Sequence, residues 1–493
     1  MAGKRMIMLH GRAYGLKLSK QLLDEKKIEF CINPYSYREV FDTDNGLIEL
    51  GYDFCMRADY EKIVDFNEIP ALSKELMEDM LPYESMCLKL GMRETGFPIA
   101  EYEEQKIMYH KHLRFWNYVI EKYNINSLYI DEVPHYQYTY IIYALAQVKK
   151  IPTLIVTDTS IENIAIYGNS IETLGESIKD SYYKGDNDRN ILEGVSDKVD
   201  IFVSSKIKSE ETRTYKRNQY EFVKKAYYGR QYSWKYTKFY NWCSALIKHH
   251  SLSWYVQRKE ICERKKYLQK RTNVYKKYMA YTLEQYNSVS EYPDYSKPYI
   301  FFALQLTPEE TTIPRAGVFA EQYTSIQLLA RCAKKYGIMV YVKEHYVQAQ
   351  RMKSLYEIIG KIDNVRMINS NVSSKELAQN AIASATHTGT IILESALYGK
   401  PVLVFGDGYA WKGIPNLFNI TDENSGIEII GNIVKGYDVN IDEVLKYFEA
   451  IKRNSIISYE LDGDHMWKGY ESEEFFISVN QRKQLIEKFL LRK

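Results

Sequence analysis

An α/β chain with two parallel-sheet domains and a basic helical insertion between them is predicted by three observations. Short apolar runs alternate with helical segments over the first 204 residues. The same alternation returns, more regularly, from residue 299 onward. Between them lies a stretch rich in Lys, Arg, Tyr and Trp that has no strand alternation. The 493 residues are enough for two to four domains at roughly 150 residues each.

Taken in order, Met6 to Leu9 is a short buried strand, followed by the loop His10-Gly11-Arg12-Ala13-Tyr14-Gly15 and a helix through Leu22. Ser127 to Ile130, Thr153 to Val156 and Ile201 to Val203 are expected strands, and 101–124 an expected helix. A helix over Tyr138 to Val148 separates two of these strands, as a βαβ crossover does. Phe239, Trp242, Cys243, Leu246 and Ile247 share one helical face, so the middle stretch is expected to be helical. Tyr292 to Pro298 has linker composition. Tyr299–Leu304, Ile338–Lys343, Val365–Ile368, Ile382–Thr386 and Val402–Phe405 are then expected strands, with helices over about 317–336, 350–360, 373–380 and 390–398. An amphipathic helix from Phe475 through Leu490 packs back on the body. The expected domains are 1–204, 205–290, 291–474 and the terminal helix 475–493.

With 45% hydrophobic and 26% charged residues, composition excludes wholesale disorder. No apolar run approaches the roughly 20 residues of a membrane span, and the N-terminus lacks the pattern of a secretory signal. A cytoplasmic protein is expected. The six cysteines form no close metal-binding spacing and are expected to be reduced and structural. Net charge is +2, but the segment from Lys206 to Lys277 holds 20 Lys or Arg against 5 Asp or Glu. Such a segment suits an anionic membrane surface, a polyanionic glycan or, with no recognised module to support it, RNA; a solvated face over a helical core accounts for it equally.

Ligands of open α/β sheets bind at the carboxyl ends of strands. There the second domain offers Thr386-His387-Thr388-Gly389-Thr390 before a helix carrying Glu394, a turn that could hold phosphate or simply cap the helix. Lys343-Glu344-His345 ends another strand with a cation and an imidazole. Gln305-Leu306-Thr307-Pro308-Glu309-Glu310 places paired carboxylates after the first strand of that domain, where acid, base or nucleophile chemistry and plain solvation are both open. In the first domain Asp131-Glu132-Val133-Pro134-His135 follows a strand, for catalysis or capping. Gly11, Arg12 and Gly15 could admit a ligand on the acceptor side, although their spacing is not G-x-G-x-x-G. Three Asp-x-Asp triplets, at 42–44, 186–188 and 462–464, are what an Asp-rich chain yields by chance, and no metal is expected.

Four blocks in order, Phe301 to Gln305 with Pro308 to Thr312, Val342 to His345, Thr388 to Thr390 with Glu394 to Val402, and Phe405-Gly406 with Tyr409 to Trp411, resemble the bacterial capsule-polysaccharide synthesis family. The family includes the Kdo transferases of capsule assembly. The resemblance covers about 299–416. It implies two Rossmann-like domains of GT-B type and a glycosyltransferase with a nucleotide-sugar donor, such as a CMP-activated acidic sugar. The acceptor would be a capsule or other surface glycan or glycolipid. The donor would be a substrate, so no cofactor is implied, and no nucleic acid partner is expected.

The same resemblance implies that Gln305, Lys343, His345, Thr388, Gly389, Thr390 and Glu394 lie on the donor side, with Tyr346 where the family carries proline. Gln305 with Glu309 matches a Gln-Thr-x-x-Asp element in which Glu replaces Asp and Leu306 replaces Thr. Glu309 is the first expectation for the reacting carboxylate and Glu132 the second, with Glu310, Asp131 and His135 completing the catalytic candidates. Inversion and retention both remain open. A non-catalytic scaffold that binds glycan or membrane, and a sugar-nucleotide epimerase, are the competing expectations. The basic segment would place the protein on the inner face of the cytoplasmic membrane.

Overall fold

The computed structural model describes residues 3–10, 14–36, 40–42, 46–95, 102–185, 190–207, 285–307, 309–345, 353–406, 410–459 and 472–491. Expectations on Gly11, Arg12, Pro308, Tyr346, Tyr409, two of the Asp-x-Asp triplets and nearly all of the basic segment lie outside them.

The first lobe runs β1 (Arg5–His10), α1 (Tyr14–Asp24), β2 (Phe30–Ser36), β3 (Val40–Asp42), β4 (Leu47–Gly51), α2 (Tyr52–Met56), α3 (Lys74–Thr95), α4 (Tyr102–Lys122), β5 (Ser127–Asp131), α5 (Gln137–Val148), β6 (Thr153–Asp158), β7 (Ile164–Gly168), α6 (Glu176–Lys184) and α7 (Val195–Ile207). The second runs β8 (Tyr299–Ala303), α8 (Gln322–Lys334), β9 (Met339–Lys343), α9 (Lys353–Ile359), β10 (Val365–Met367), α10 (Ser374–Asn380), β11 (Ala383–Thr386), α11 (Ile391–Leu397), β12 (Val402–Val404), β13 (Leu417–Asn419) and α12 (Glu423–Val434). The chain then returns through α13 (Ile441–Arg453), β14 (Ile456–Ile457) and α14 (Glu473–Phe489).

Strand order is β14-β7-β6-β5-β1-β2-β4-β3 in the first sheet and β10-β9-β8-β11-β12-β13 in the second. The second sheet is parallel throughout, and the first is parallel at its centre with antiparallel pairs at β3, β7 and β14. This is the α/β architecture of two Rossmann-like sheets that the sequence predicts. In each sheet strand order reverses beside the first strand, between β1 and β5 and between β8 and β11. Such reversals open a crevice at the carboxyl ends of the two strands, because the following loops leave in opposite directions.

Alternation along β1 shows how the sheet is buried on both faces. Ile7 and Leu9 join a core shared with the second lobe's Leu393, Val402, Val404 and Trp411. Met6 and Met8 face Phe475, Val479 and Ile486 of α14 on the other side. Two positions depart from expectation. Ile201 to Val203 belongs to α7, because Val195 and Val199 one turn apart bury the helix while Ile201 is exposed. The strand Ile456–Ile457, within the 291–474 stretch, pairs antiparallel with β7 of the first sheet. Among the described residues, no helix is long and apolar enough to cross a membrane.

Candidate functional site

The two crevices meet. β5 ends at Asp131, whose carboxylate takes the Arg482 guanidinium of α14 in a fork, Nε to Oδ2 at 3.0 Å and Nη2 to Oδ1 at 3.2 Å. Glu132 follows with φ of 108°, a conformation costly for a residue with a Cβ and held only where the surroundings over-determine it. Its N–H donates to the Val156 carbonyl at 2.7 Å. His135 is buried; its Nδ1 lies 2.9 Å from the Val133 carbonyl and 3.8 Å from Glu132 Oε1. Since a carbonyl can only accept, Nδ1 carries the proton in the neutral ring.

From the second sheet, the loop after β8 is folded back by its own polar groups. Gln322 of α8 accepts the Gln305 N–H at 2.8 Å and donates to the Gln305 carbonyl at 2.9 Å. The Gln305 amide is satisfied when its nitrogen faces Thr388 Oγ1 (2.9 Å) and the Thr311 carbonyl (3.2 Å), and its oxygen faces the Thr386 hydroxyl and the Gly389 N–H. Only glycine fits at 389, since a Cβ there would overlap the Gln305 amide. Thr388 Oγ1 donates to the Thr311 carbonyl at 2.7 Å, tying the β11 edge to the same loop.

Adjacent glutamates then take opposite fates. Glu309 turns back on its own loop and accepts the Thr311 N–H at 2.9 Å. Glu310 turns toward the first lobe, where Oε1 accepts from Arg315 Nη1 at 3.1 Å and from Thr157 Oγ1 of β6 at 3.4 Å. Ligand-type atoms of Glu132, His135 and Glu310 all lie within 4.8 Å of one another. Burial drives the Glu310 carboxyl up to about 7; Arg315 and His135 oppose the rise, while Glu132 and Glu309 add to it. Two carboxylates and an imidazole could also gather round a divalent cation. Arg315, itself buried, already supplies a fixed positive charge to Glu310, so the set is better matched to proton chemistry.

The other candidates are distributed as follows. Lys343 is buried at the end of β9, and burial lowers its ammonium's pKa against the opposing effect of Glu344. Its Nζ makes no hydrogen bond or ion pair among the described residues. β9 and β11 flank β8, so Lys343 and Thr386 end on either side of the strand that leads to Gln305. Glu344 is engaged by the Tyr356 hydroxyl at 2.7 Å and the His345 N–H at 2.8 Å. Thr390 is exposed and its side chain makes no capping bond, and the helix after it has only seven residues. Glu394 is paired with Lys206 at 2.6 Å. Gly15 is buried within α1. Thus Glu132, His135 and Glu310 gather in one crevice, with Gln305, Thr388 and Gly389 in its wall, while Glu309 is held to its own loop. Thr157, Arg315, Gln322 and Arg482 are further members that sequence reasoning missed. Of these, only Arg315, the one charge in Thr311 to Ala320, carried a local signal.

No family model matches the chain, and no curated protein matches it. Among solved structures, the Staphylococcus aureus MnaA–UDP co-structure is similar at 10% identity with a TM-score of 0.28, over 99% of this chain and 97% of that one. Methanocaldococcus jannaschii UDP-GlcNAc 2-epimerase in complex with UDP-GlcNAc and UDP has 11% identity and a TM-score of 0.29, over 91% and 98%. Thermosulfurimonas dismutans KpsC, beta Kdo 2,7 transferase, has 9% identity and a TM-score of 0.29, over 83% and 97%. Likenesses of this size assign neither family nor activity.

Proposed function

We propose that the chain is a glycosyltransferase that uses a nucleotide-sugar donor and reacts it in the crevice between the lobes. The observation that carries this reading is the meeting of Glu132 and His135 with Glu310 from the switch points of two sheets. Transfer to a hydroxyl needs a base for the acceptor proton and positive charge for the departing phosphate. Glu132 takes the acceptor proton. As the new carbon–oxygen bond forms, the bond from the anomeric carbon to the phosphate oxygen breaks and its electron pair leaves with the nucleotide. Glu310, neutral below about 7, lets an anionic donor approach without a second full negative charge beside it. Lys343 is the cation available to the donor phosphate, with His345 beside it in sequence. No step calls for a metal.

A CMP-activated acidic sugar, a surface-glycan acceptor and docking of 206–277 on an anionic membrane are the finer parts of the proposal, and they rest on the sequence resemblance and the charge pattern. The test is to mix the protein with CMP, UDP and GDP sugars, with and without glycan acceptors, and to measure released nucleotide. Acceptor-dependent release is expected. Conversion of the donor without acceptor would replace transfer by epimerisation, and no turnover across the panel would leave the scaffold reading.

A further inference from the structure

We propose that the C-terminal helix α14 completes the catalytic edge of the first lobe, with Arg482 as a positioning residue that holds Glu132 in its working conformation through Asp131. The proposal rests on the functional reading given above for the role of Glu132, and on independent geometry for Arg482. Arg482 is 1% exposed. All five of its N–H groups have acceptors. Nε and Nη2 take the two Asp131 oxygens; Nη1 takes the Ile457 carbonyl at 3.0 Å and Ser478 Oγ at 2.6 Å; Nη2 also takes Ser458 Oγ at 2.9 Å. One guanidinium therefore joins the end of β5 to β14 and to its own helix.

Asp131 sits directly before Glu132, the residue with φ of 108°. Strain of this kind persists only if both flanks are fixed. On the far side, buried Val133 and the His135 contact to its carbonyl fix the chain. On the near side the fork on Asp131 does so, aided by the Glu132 N–H on Val156. The pair also removes a third negative charge from the neighbourhood of Glu132 and Glu310. A lysine could keep the charge but not the two-pronged geometry, because it is a point charge on a flexible stem.

The experiment compares Arg482→Lys, Asp131→Asn and, as a control on the same helix, Lys483→Ala. Turnover at saturating donor and donor KM are measured together with hydrogen exchange of the 131–136 amides. In the first two variants turnover is expected to fall about 100-fold, the loss typical of a displaced catalytic group, with donor KM within about threefold of wild type. Exchange at 131–136 should rise while the second sheet stays protected, and the control should match wild type in every readout. Near-wild-type turnover in both variants, a loss expressed mainly in KM, or unchanged exchange at 131–136 would overturn the proposal. If one variant does not fold, the other decides. Should wild-type protein show no turnover, the functional reading fails. Unchanged exchange in Arg482→Lys would then still reject the positioning claim by itself.

Discussion

The carboxyl edges of the two sheets are built from opposite materials. At the first, charge dominates: Asp131 is locked to Arg482, and Glu132 and His135 stand beside it. At the second, a network of neutral donors and acceptors stands out, with Gln305, Gln322, Thr386 and Thr388 satisfying one another, while Glu310, paired with Arg315, reaches Thr157 of the first lobe. A crevice built this way can be both reactive and well formed. A closed network of neutral groups gives the second edge a fixed shape at little electrostatic cost. The ionisable pair Glu132 and His135 stands on the side where a buried guanidinium already anchors the backbone.

The most severe way to break this comparison is to remove the base from the charged edge. Glu132→Gln is expected to lower acceptor-dependent turnover by about 100- to 10,000-fold, the range for a lost acid–base group. Glu309→Gln should leave turnover near wild type and cost about 1 kcal/mol of stability through its turn hydrogen bond. Equal losses in the two variants would erase the distinction between them.

The charge contrast predicts a pH signature. If neutral Glu310 is the working form, turnover should fall as pH rises through about 7. Since Arg315 holds the Glu310 pKa down, Arg315→Gln should move that falling limb to higher pH. The sign for folding follows from the same shift. Glu310 keeps its proton in the folded chain where the unfolded chain has released it, so its contribution to stability declines as pH rises from 4.5 to about 7. Urea titrations across that window should show the decline, and Glu310→Gln should flatten it.

A smaller effect sharpens the description of the neutral edge. Gly389→Ala pushes a Cβ into the Gln305 amide and should cost about 1–3 kcal/mol, as overpacking does. The cost is read from the urea midpoint; a neutral substitution would show that the bracket gives way.

Much of this was legible in the sequence where the chemistry is local. β1, β5, β6 and five of the six strands of the second sheet are compact apolar runs, and Asp131-Glu132 lies at the end of one of them; β13, three half-buried residues, gave no such run. β2 was hidden by Pro34 and β4 by the buried Glu49, both of which break the apolar pattern. β14 has only two residues, too few for any periodicity. Ile201 to Val203 resembles a strand until Val195 and Val199 are included. Which of Glu309 and Glu310 faces the first lobe depends on the path of the 304–316 loop, set by Gln322 and Thr388 from elsewhere in the chain. Local sequence cannot carry that information.

The Asp131–Arg482 pair spans 351 positions. At the usual pace of about 5–20 residues per second, a ribosome needs roughly 20–70 s to synthesise that interval. Throughout it, the aspartate has emerged while its cation has not yet been made. The acidic rim of the first lobe thus acquires its counter-charge only after the strands of both sheets have been made, and a nascent chain that has not reached Arg482 carries the carboxylates without the clasp that sets their geometry.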